Sequence, residues 1–376
     1  MLKKRKSEKM EEKISKLIVE YSLKVKENER ILIRYQTDAS KGLVKLIINE
    51  IIKAKGIPFV SREDTDISCL LYKFETKERL ENERKKFEYQ LENFDSFIYI
   101  GENINDYEAS IVPSNIRKSR VIALDDLVSI RVNERKWVLL DYPTLLDAYK
   151  ANKSYDKFKE FALKAMCTDY KHMCDNIKPL KDLIEKTDKV RITGKDTDLT
   201  FSIKGLPAIP CLGTYNIPDG EIYSAPIKES VNGVITYNTQ TTYNGHVFNN
   251  VSLTFENGKI IKAKCDGDNE KLNEIFDTDE GARYIGEFAL GFNPNITLPI
   301  GSILYDEKII GSLHFTPGAC YEDCNNGNKS AIHWDLVLIQ REDYGGGNIY
   351  FDDILVRKNG VFALEELKPL NYQLNK

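Results

Sequence analysis

The chain predicts an α/β protein of two parts, an N-terminal open α/β sheet domain over residues 1–186 and a β-rich α+β domain over residues 187–376. Three observations carry this reading. A length of 376 residues exceeds what one hydrophobic core usually organises. The first part alternates strand-like and helix-like runs, the pattern of a parallel sheet with crossover helices. The second part alternates apolar and polar residues between Gly and Asn punctuation, the pattern of antiparallel strands.

Residues 13–25 space Ile14, Leu17, Ile18 and Tyr21 as the apolar stripe of a helix. Residues 30–35 read as a strand, 39–55 as a helix stopped by Gly56, and 57–61 as a second strand, which completes one β-helix-β unit. Residues 76–91 are helical with a solvated charged face. Strands are expected at 96–101 and 137–140, and helical stretches at 144–149 and 155–184. The sheet comes without a GxGxxG turn or a P-loop, so the chemistry of a nucleotide site is missing.

Beyond Lys189, residues 190–194, 198–205, 233–245, 251–265, 331–340 and 349–364 alternate as strands, and 269–276 reads as a helix. Asn257-Gly258 and Asn359-Gly360 carry the strongest short hairpin signal, because both central residues of a type I′ turn need positive φ.

With 41% apolar and 30% charged residues and a formal net charge of −4, the chain has no general attraction for nucleic acid or acidic membranes. No apolar run of about 18 residues and no signal-peptide core are present, so a cytoplasmic protein with neither a membrane nor a nucleic-acid partner is expected. An odd count of 7 scattered cysteines fits reduced thiols.

Scarce ligand types crowd into residues 311–340, which hold 2 of the 4 histidines. His333 and Asp335 flank Trp334 in an alternating run, and period 2 puts both side chains on one face of a strand, about 6 to 7 Å apart. Such a pair can ligate neighbouring metal ions, or simply face solvent. His314 stands where an extended piece enters a Pro-Gly turn, a place from which loops present ligands. Tyr321 offers a phenol to an oxyanion. Glu287 is flanked by Ile285, Phe288, Ala289 and Leu290, where an ionised carboxylate must find a cation or take up a proton. Glu221 opens a strand after Asp219-Gly220, where a solvated turn acid is the plain alternative. Cys320 and Cys324 pose a rival: with His314 and His333 they make a tetrahedral zinc set, as in a binding or scaffolding protein. Cys320 as a nucleophile beside a histidine is a third reading.

In order and spacing, the Glu of DGEIYSAP, the GEFALG segment, the His-to-Tyr step of HFTPGACY, HWD and the closing IYFDDILVRKNG, together with EYSLKVKENERILIRY near the start, resemble the aminopeptidase T family of metallopeptidases. The resemblance implies an N-terminal α/β domain, a C-terminal metal-binding catalytic domain and a homodimer. It further implies a two-metal exopeptidase acting on peptides, with Glu221, Glu287, His314, His333 and Asp335 as ligands and Tyr321 as the catalytic phenol. Two imidazoles and three carboxylates suit two divalent ions of Zn, Co or Mn. Such ions supply an activated water and a polarised scissile carbonyl. The general base stays unassigned, with Glu287 a candidate only if it is not a ligand.

Overall fold

The computed structural model describes residues 2–105, 107–243 and 245–371. Its first unit comprises the chain up to Cys167 together with Gly213–Ile217. Strands β1 (Arg30–Tyr35), β2 (Ile57–Arg62), β3 (Ser96–Gly101) and β4 (Lys136–Asp141) lie in the order β2-β1-β3-β4, all parallel, and Asn216–Ile217 returns to pair beside β4. Helix α1 (Leu2–Lys16) precedes them, and its last turns continue as a π-helix over Leu17–Ser22. Helix α2 (Lys41–Lys53) joins β1 to β2 and buries Leu43, Val44, Ile47 and Ile51, a stripe at helical spacing.

After α3 (Thr65–Lys73) come α4 (Lys77–Asn93) and α5 (Ser114–Glu134), which bring Leu91 and Leu127 onto Leu32 and Phe97 of the sheet. The sequence pattern missed α5, and the reason is physical: Leu127 is its only buried residue, so no continuous apolar stripe marks it. The stretch 155–184 breaks into α7 (Tyr155–Met166), α8 (Tyr170–Asn176) and α9 (Lys178–Lys186), after α6 (Leu145–Lys150). Asp169 starts α8 by accepting from His172 N, and Pro179 lies in the first turn of α9.

The second unit comprises Thr168–Leu212 and Pro218 onward, so α8 and α9 are grouped with it. Helical periodicity does not say which core a helix joins, and α8 and α9 join the second. Asp219 N donates to Tyr170 Oη at 3.0 Å, and Thr168 Oγ1 donates to Asn293 Oδ1 at 2.9 Å.

Two sheets build this unit. The strands follow as β5 (Lys189–Gly194), β6 (Thr197–Ser202), β7 (Ile209–Cys211), β8 (the returning Asn216–Ile217), β9 (Glu221–Ser224), β10 (Asn232–Thr236), β11 (Thr241–Tyr243), β12 (His246–Glu256) and β13 (Lys259–Asp266). After helix α10 (Asn269–Phe276) come β14 (Ile285–Gly291), the one-turn helix α11 (Ile303–Asp306), β15 (Ser312–Pro317), β16 (Val337–Ile339), β17 (Gly347–Phe351), β18 (Ile354–Lys358) and β19 (Val361–Phe362). The larger sheet runs β11-β12-β10-β6-β5-β17-β18-β19, with β13 paired to β12, and the smaller runs β16-β15-β14-β9-β7. Both Asn-Gly pairs turn hairpins as expected, with φ of 49° and 83° at Asn257-Gly258 and 50° and 79° at Asn359-Gly360.

The smaller sheet sorts its side chains by face. Opposed residues in antiparallel strands share a side, and the side alternates along each strand. Pairing of Glu221 with Gly291, Ala289 with His314 and Glu287 with Thr316 therefore places Glu221, Glu287 and His314 on one face. The other face carries Phe288 and Phe315, which pack edge-on or tilted against Phe201 of the larger sheet, each at 5.0 Å between ring centroids. One face of this sheet is core and the other is polar.

Candidate metal centre

The five sequence-expected ligands come from four stretches, and the sheet register brings them together. His314 is inside β15 and 1% exposed, rather than at the mouth of a turn. The strand expected over 331–340 is regular only over Val337–Ile339, and His333 is held by an isolated bridge to Gly318. Register is nevertheless kept, because four residues separate His314 from Gly318 and four separate His333 from Val337, the partner of His314. Period 2 therefore survives, and His333 and Asp335 share the polar face. Their Nε2 and Oδ1 atoms lie 3.3 Å apart.

Gly318 makes this turn possible. It adopts φ +114°, and a Cβ there would collide with the Ile332 carbonyl.

Glu287 sits at the middle of the cluster, with Oε1 3.1 Å from His314 Nε2 and Oε2 3.2 Å from His333 Nε2. Glu221 Oε2 is 3.7 Å from His314 Nε2. Thr316 Oγ1 donates to Asp335 Oδ1 at 2.7 Å, which orients that carboxylate. His333 Nδ1 donates to Ala319 O at 2.8 Å, so the tautomer leaves Nε2 as the atom facing the acids. The neighbouring oxygens do not lie along a hydrogen-bonding direction. Glu221 Oε2 and His333 Nε2 are buried without a hydrogen-bond partner among the described residues. Buried polar atoms left unpaired cost free energy unless something fills the gap.

The sequence reading overlooked two members of the cluster, Glu307 and Lys308. Lys308 is fully buried, with Nζ 3.4 Å from Glu221 Oε1 and in contact with Glu307. The signal was of the same kind as for Glu287: charged residues Asp306, Glu307 and Lys308 between Tyr305 and Ile309-Ile310. Side-chain atoms of Glu287, His314 and Asp335 form one group of metal-ligand type, and those of Glu221, Glu307 and His314 form another. Cys211, opposite Glu221 on β7, makes a third group with Asp219 and Glu221.

Burial drives the charge states, and the neighbours redirect them. Burial raises Glu221 to about 8, with Lys308 opposing. Burial opposes the charged forms of the imidazoles, yet the charge of Asp335 lifts His333 to about 12, and the hydrogen bond it donates to Glu287 lifts His314 to about 10. For Glu287 burial pushes upward, but the hydrogen bond from His314 and the His333 imidazole beside it outweigh it and hold the carboxyl below its usual range. Lys308 is disfavoured by burial and rescued by Glu221 and Glu307, so it stays an ammonium.

Tyr321 lies beside His333, with ring centroids 4.8 Å apart, and packs at 5.4 Å on Tyr223, whose hydroxyl donates to Asp323. Burial and the surrounding acids raise its phenol well above the ordinary value, so it remains a donor.

The rival zinc set does not assemble. Cys320 Sγ turns to Asn325 Oδ1 and Asn328 O, at 3.4 and 3.3 Å, and Cys324 Sγ to Pro207 O at 3.5 Å. Neither thiol belongs to a metal-ligand group with His314 or His333 among the described residues. No helix of the described residues is long and apolar enough to cross a membrane.

Comparison with known proteins agrees with this picture. The family model described as thermophilic metalloprotease (M29) matches residues 7–360. Aminopeptidase AmpS of Bacillus subtilis is 33% identical over 126 residues, which is 32% of this chain and 30% of that protein, so the match spans about a third of the relative. Among solved structures, wild-type AmpT from Thermus thermophilus superposes with a TM-score of 0.80 at 17% identity, over 95% of this chain and 99% of that one. A 2,5-dihydroxypyridine dioxygenase from Pseudomonas putida superposes with a TM-score of 0.62 at 14% identity, over 96% and 98%. At such identities the likeness is one of fold, and the fold serves more than one chemistry.

Proposed function

The chain belongs to the thermophilic metalloprotease (M29) family, and from that premise we propose that it is a metal-dependent aminopeptidase that removes N-terminal residues from peptides. The observation that carries this reading is a buried set of donors that converge without pairing off: Glu221, Glu287, Asp335, His314 and His333 meet in one place, and Glu221 Oε2 and His333 Nε2 are left there without a hydrogen-bond partner among the described residues.

The donor set fits two divalent ions of the Zn, Co or Mn type. Glu287 presents one oxygen to each imidazole, so it would help to hold an ion on either side. His333 and Asp335 would hold one ion with it, and His314 and Glu221, with Glu307 alongside, would hold the other. Bound there, divalent ions supply water activation and carbonyl polarisation. The chain itself does the rest: Thr316 and Ala319 orient Asp335 and His333, Lys308 keeps Glu221 from repelling Glu307, and Tyr321 donates its phenol proton to the oxyanion that develops on the scissile carbonyl.

The reading extends to a homodimer in the cytoplasm. In its support, β2 is the edge of its sheet and exposes Ile57, Phe59 and Val60, an edge that unprotected invites pairing. Metal analysis and release of free amino acids from short peptides, with and without chelator, test the function. Two ions per chain, lost together with hydrolysis on chelation, are expected. Glu287→Gln is expected to abolish hydrolysis and to lower the metal content. Undiminished hydrolysis in Glu287→Gln would remove that residue from the centre, and a single ion held through thiolates would sink the reading.

A further inference from the structure

Tyr321 does not stand on the sheet that carries the ligands. It follows β15, is 46% exposed, and leads into the single 3-10 turn Glu322–Cys324. We propose that Tyr223 and Asp323 form a latch that fixes the Tyr321 phenol beside His333, both acting as positioning residues; the proposal rests on the aminopeptidase reading above.

The latch starts from the rigid sheet. Tyr223 stands two residues after Glu221 on β9 and pairs with Ala289, which in turn pairs with His314, so Tyr223 rises from the face that carries both of those ligands. It is buried, and its hydroxyl donates to Asp323, 2.9 Å from each carboxylate oxygen. Asp323 is exposed and lies two residues after Tyr321 in the same turn, so this bond ties the turn to the sheet. The tie closes on itself: the Tyr321 ring lies between Tyr223, at 5.4 Å between centroids, and His333, at 4.8 Å.

Other anchors of this loop act further along it. Asn326 Nδ2 donates to Pro226 O and Ile285 O at 2.7 and 2.8 Å, and Asn328 Nδ2 to Gly281 O and Gly318 O at 2.9 and 2.6 Å. They fix the loop after the turn, whereas Tyr223 and Asp323 act on the turn that bears Tyr321. A stack of rings alone tolerates sliding, and a hydrogen bond to a carboxylate adds direction. An oxyanion donor needs that direction, because it works only when held within about 0.5 Å of its productive place. Loss of the latch is therefore expected to damage turnover and to spare the ligands.

Four zinc-loaded proteins test the latch: the wild type, Tyr223→Phe, Asp323→Ala and Asp323→Asn, whose amide oxygen still accepts from the Tyr223 hydroxyl. Because Asp323 is exposed, its variants leave the core intact. The measurements are kcat and KM on short peptides, zinc content, and amide hydrogen exchange over residues 320–324. Tyr223→Phe and Asp323→Ala are expected to lower kcat by about tenfold to a hundredfold with KM and zinc content kept, and to quicken exchange over 320–324 but not over β15. Asp323→Asn is expected to recover most of the turnover. Adding Tyr223→Phe to Tyr321→Phe should cost nothing more, since the group it positions is already gone. Hydrolysis with an unchanged kcat in both Tyr223→Phe and Asp323→Ala overturns the latch and leaves the peptidase reading standing. Loss of zinc in Tyr223→Phe, or a further loss of turnover in the double variant, also overturns it, because Tyr223 would then act without Tyr321. A wild type without hydrolysis, in which both variants still quicken exchange over 320–324, overturns the peptidase reading and keeps the latch.

Discussion

The Nδ1–H of His333 is spent on the Ala319 carbonyl, so the only ring atom it can offer to the centre is Nε2, where Asp335 and Glu287 wait. With no ion bound those acids keep protons on both rings, at about 12 for His333 and about 10 for His314, and Glu221 titrates at about 8. Near neutral pH an entering cation must displace these protons, so acid competes with it and affinity rises as pH rises. Zinc titrations at pH 7 in buffers of different ionisation enthalpy should report release of at least one proton per chain; heats independent of the buffer would contradict the assignment. Tyr321 is expected to act on turnover alone. Tyr321→Phe should lower kcat by about 10²- to 10³-fold, the scale set by removal of one oxyanion donor elsewhere, while metal content stays the same; loss of an ion would make Tyr321 a ligand instead. At this scale the sequence was informative wherever a charge lay among apolar neighbours, as Glu287 does, and His333 and Asp335 kept the shared face that period 2 requires. It was silent on Cys211, whose relevance comes only from standing opposite Glu221 in the sheet.

Strands β14 and β15 carry Glu287 and His314, and the connection between them carries Glu307 and Lys308, so anything that ties their ends shapes the centre. Arg357 does this from β18. Its guanidinium, fully buried, donates to Ser312 O at 2.6 Å, Gly291 O at 2.7 Å and Gly360 O at 3.1 Å, joining the end of β14, the start of β15 and the hairpin turn. Burial lowers its pKa to about 9, still on the charged side at neutral pH. Arg357→Met should cost about 3 kcal/mol or more, because buried carbonyls are left unpaired, and should show as a lower denaturant midpoint together with weaker zinc retention. A midpoint unchanged within error would mean that water replaces the guanidinium. Elements with a clean period, such as α2, α10 and the Asn-Gly hairpins, were legible beforehand. Helix α5 and the merged run of α7 to α9 were not, since the first lacks an apolar stripe and the breaks in the second depend on an N-cap and a proline inside a continuous helical pattern.

On the scale of the molecule, every residue of the candidate centre belongs to the second unit, whereas the parallel sheet of the first contributes none. Calorimetric unfolding should therefore respond unequally: zinc at a hundredfold excess over its Kd adds about 2.7 kcal/mol to the unit that binds it, and raises that transition without moving the other. A common shift of both transitions would show that the units unfold as one. By itself the sequence determined the two textures, the family resemblance and five of the residues that meet at the centre, because local periodicity and scarce side chains in apolar settings are properties of short stretches. Only the tertiary structure decided that α8 and α9 belong to the second unit, that Glu307 and Lys308 join the cluster and that Cys320 and Cys324 stand apart from it. Those outcomes depend on strand register and on which core a segment buries into, and both are set by contacts between residues far apart in the chain.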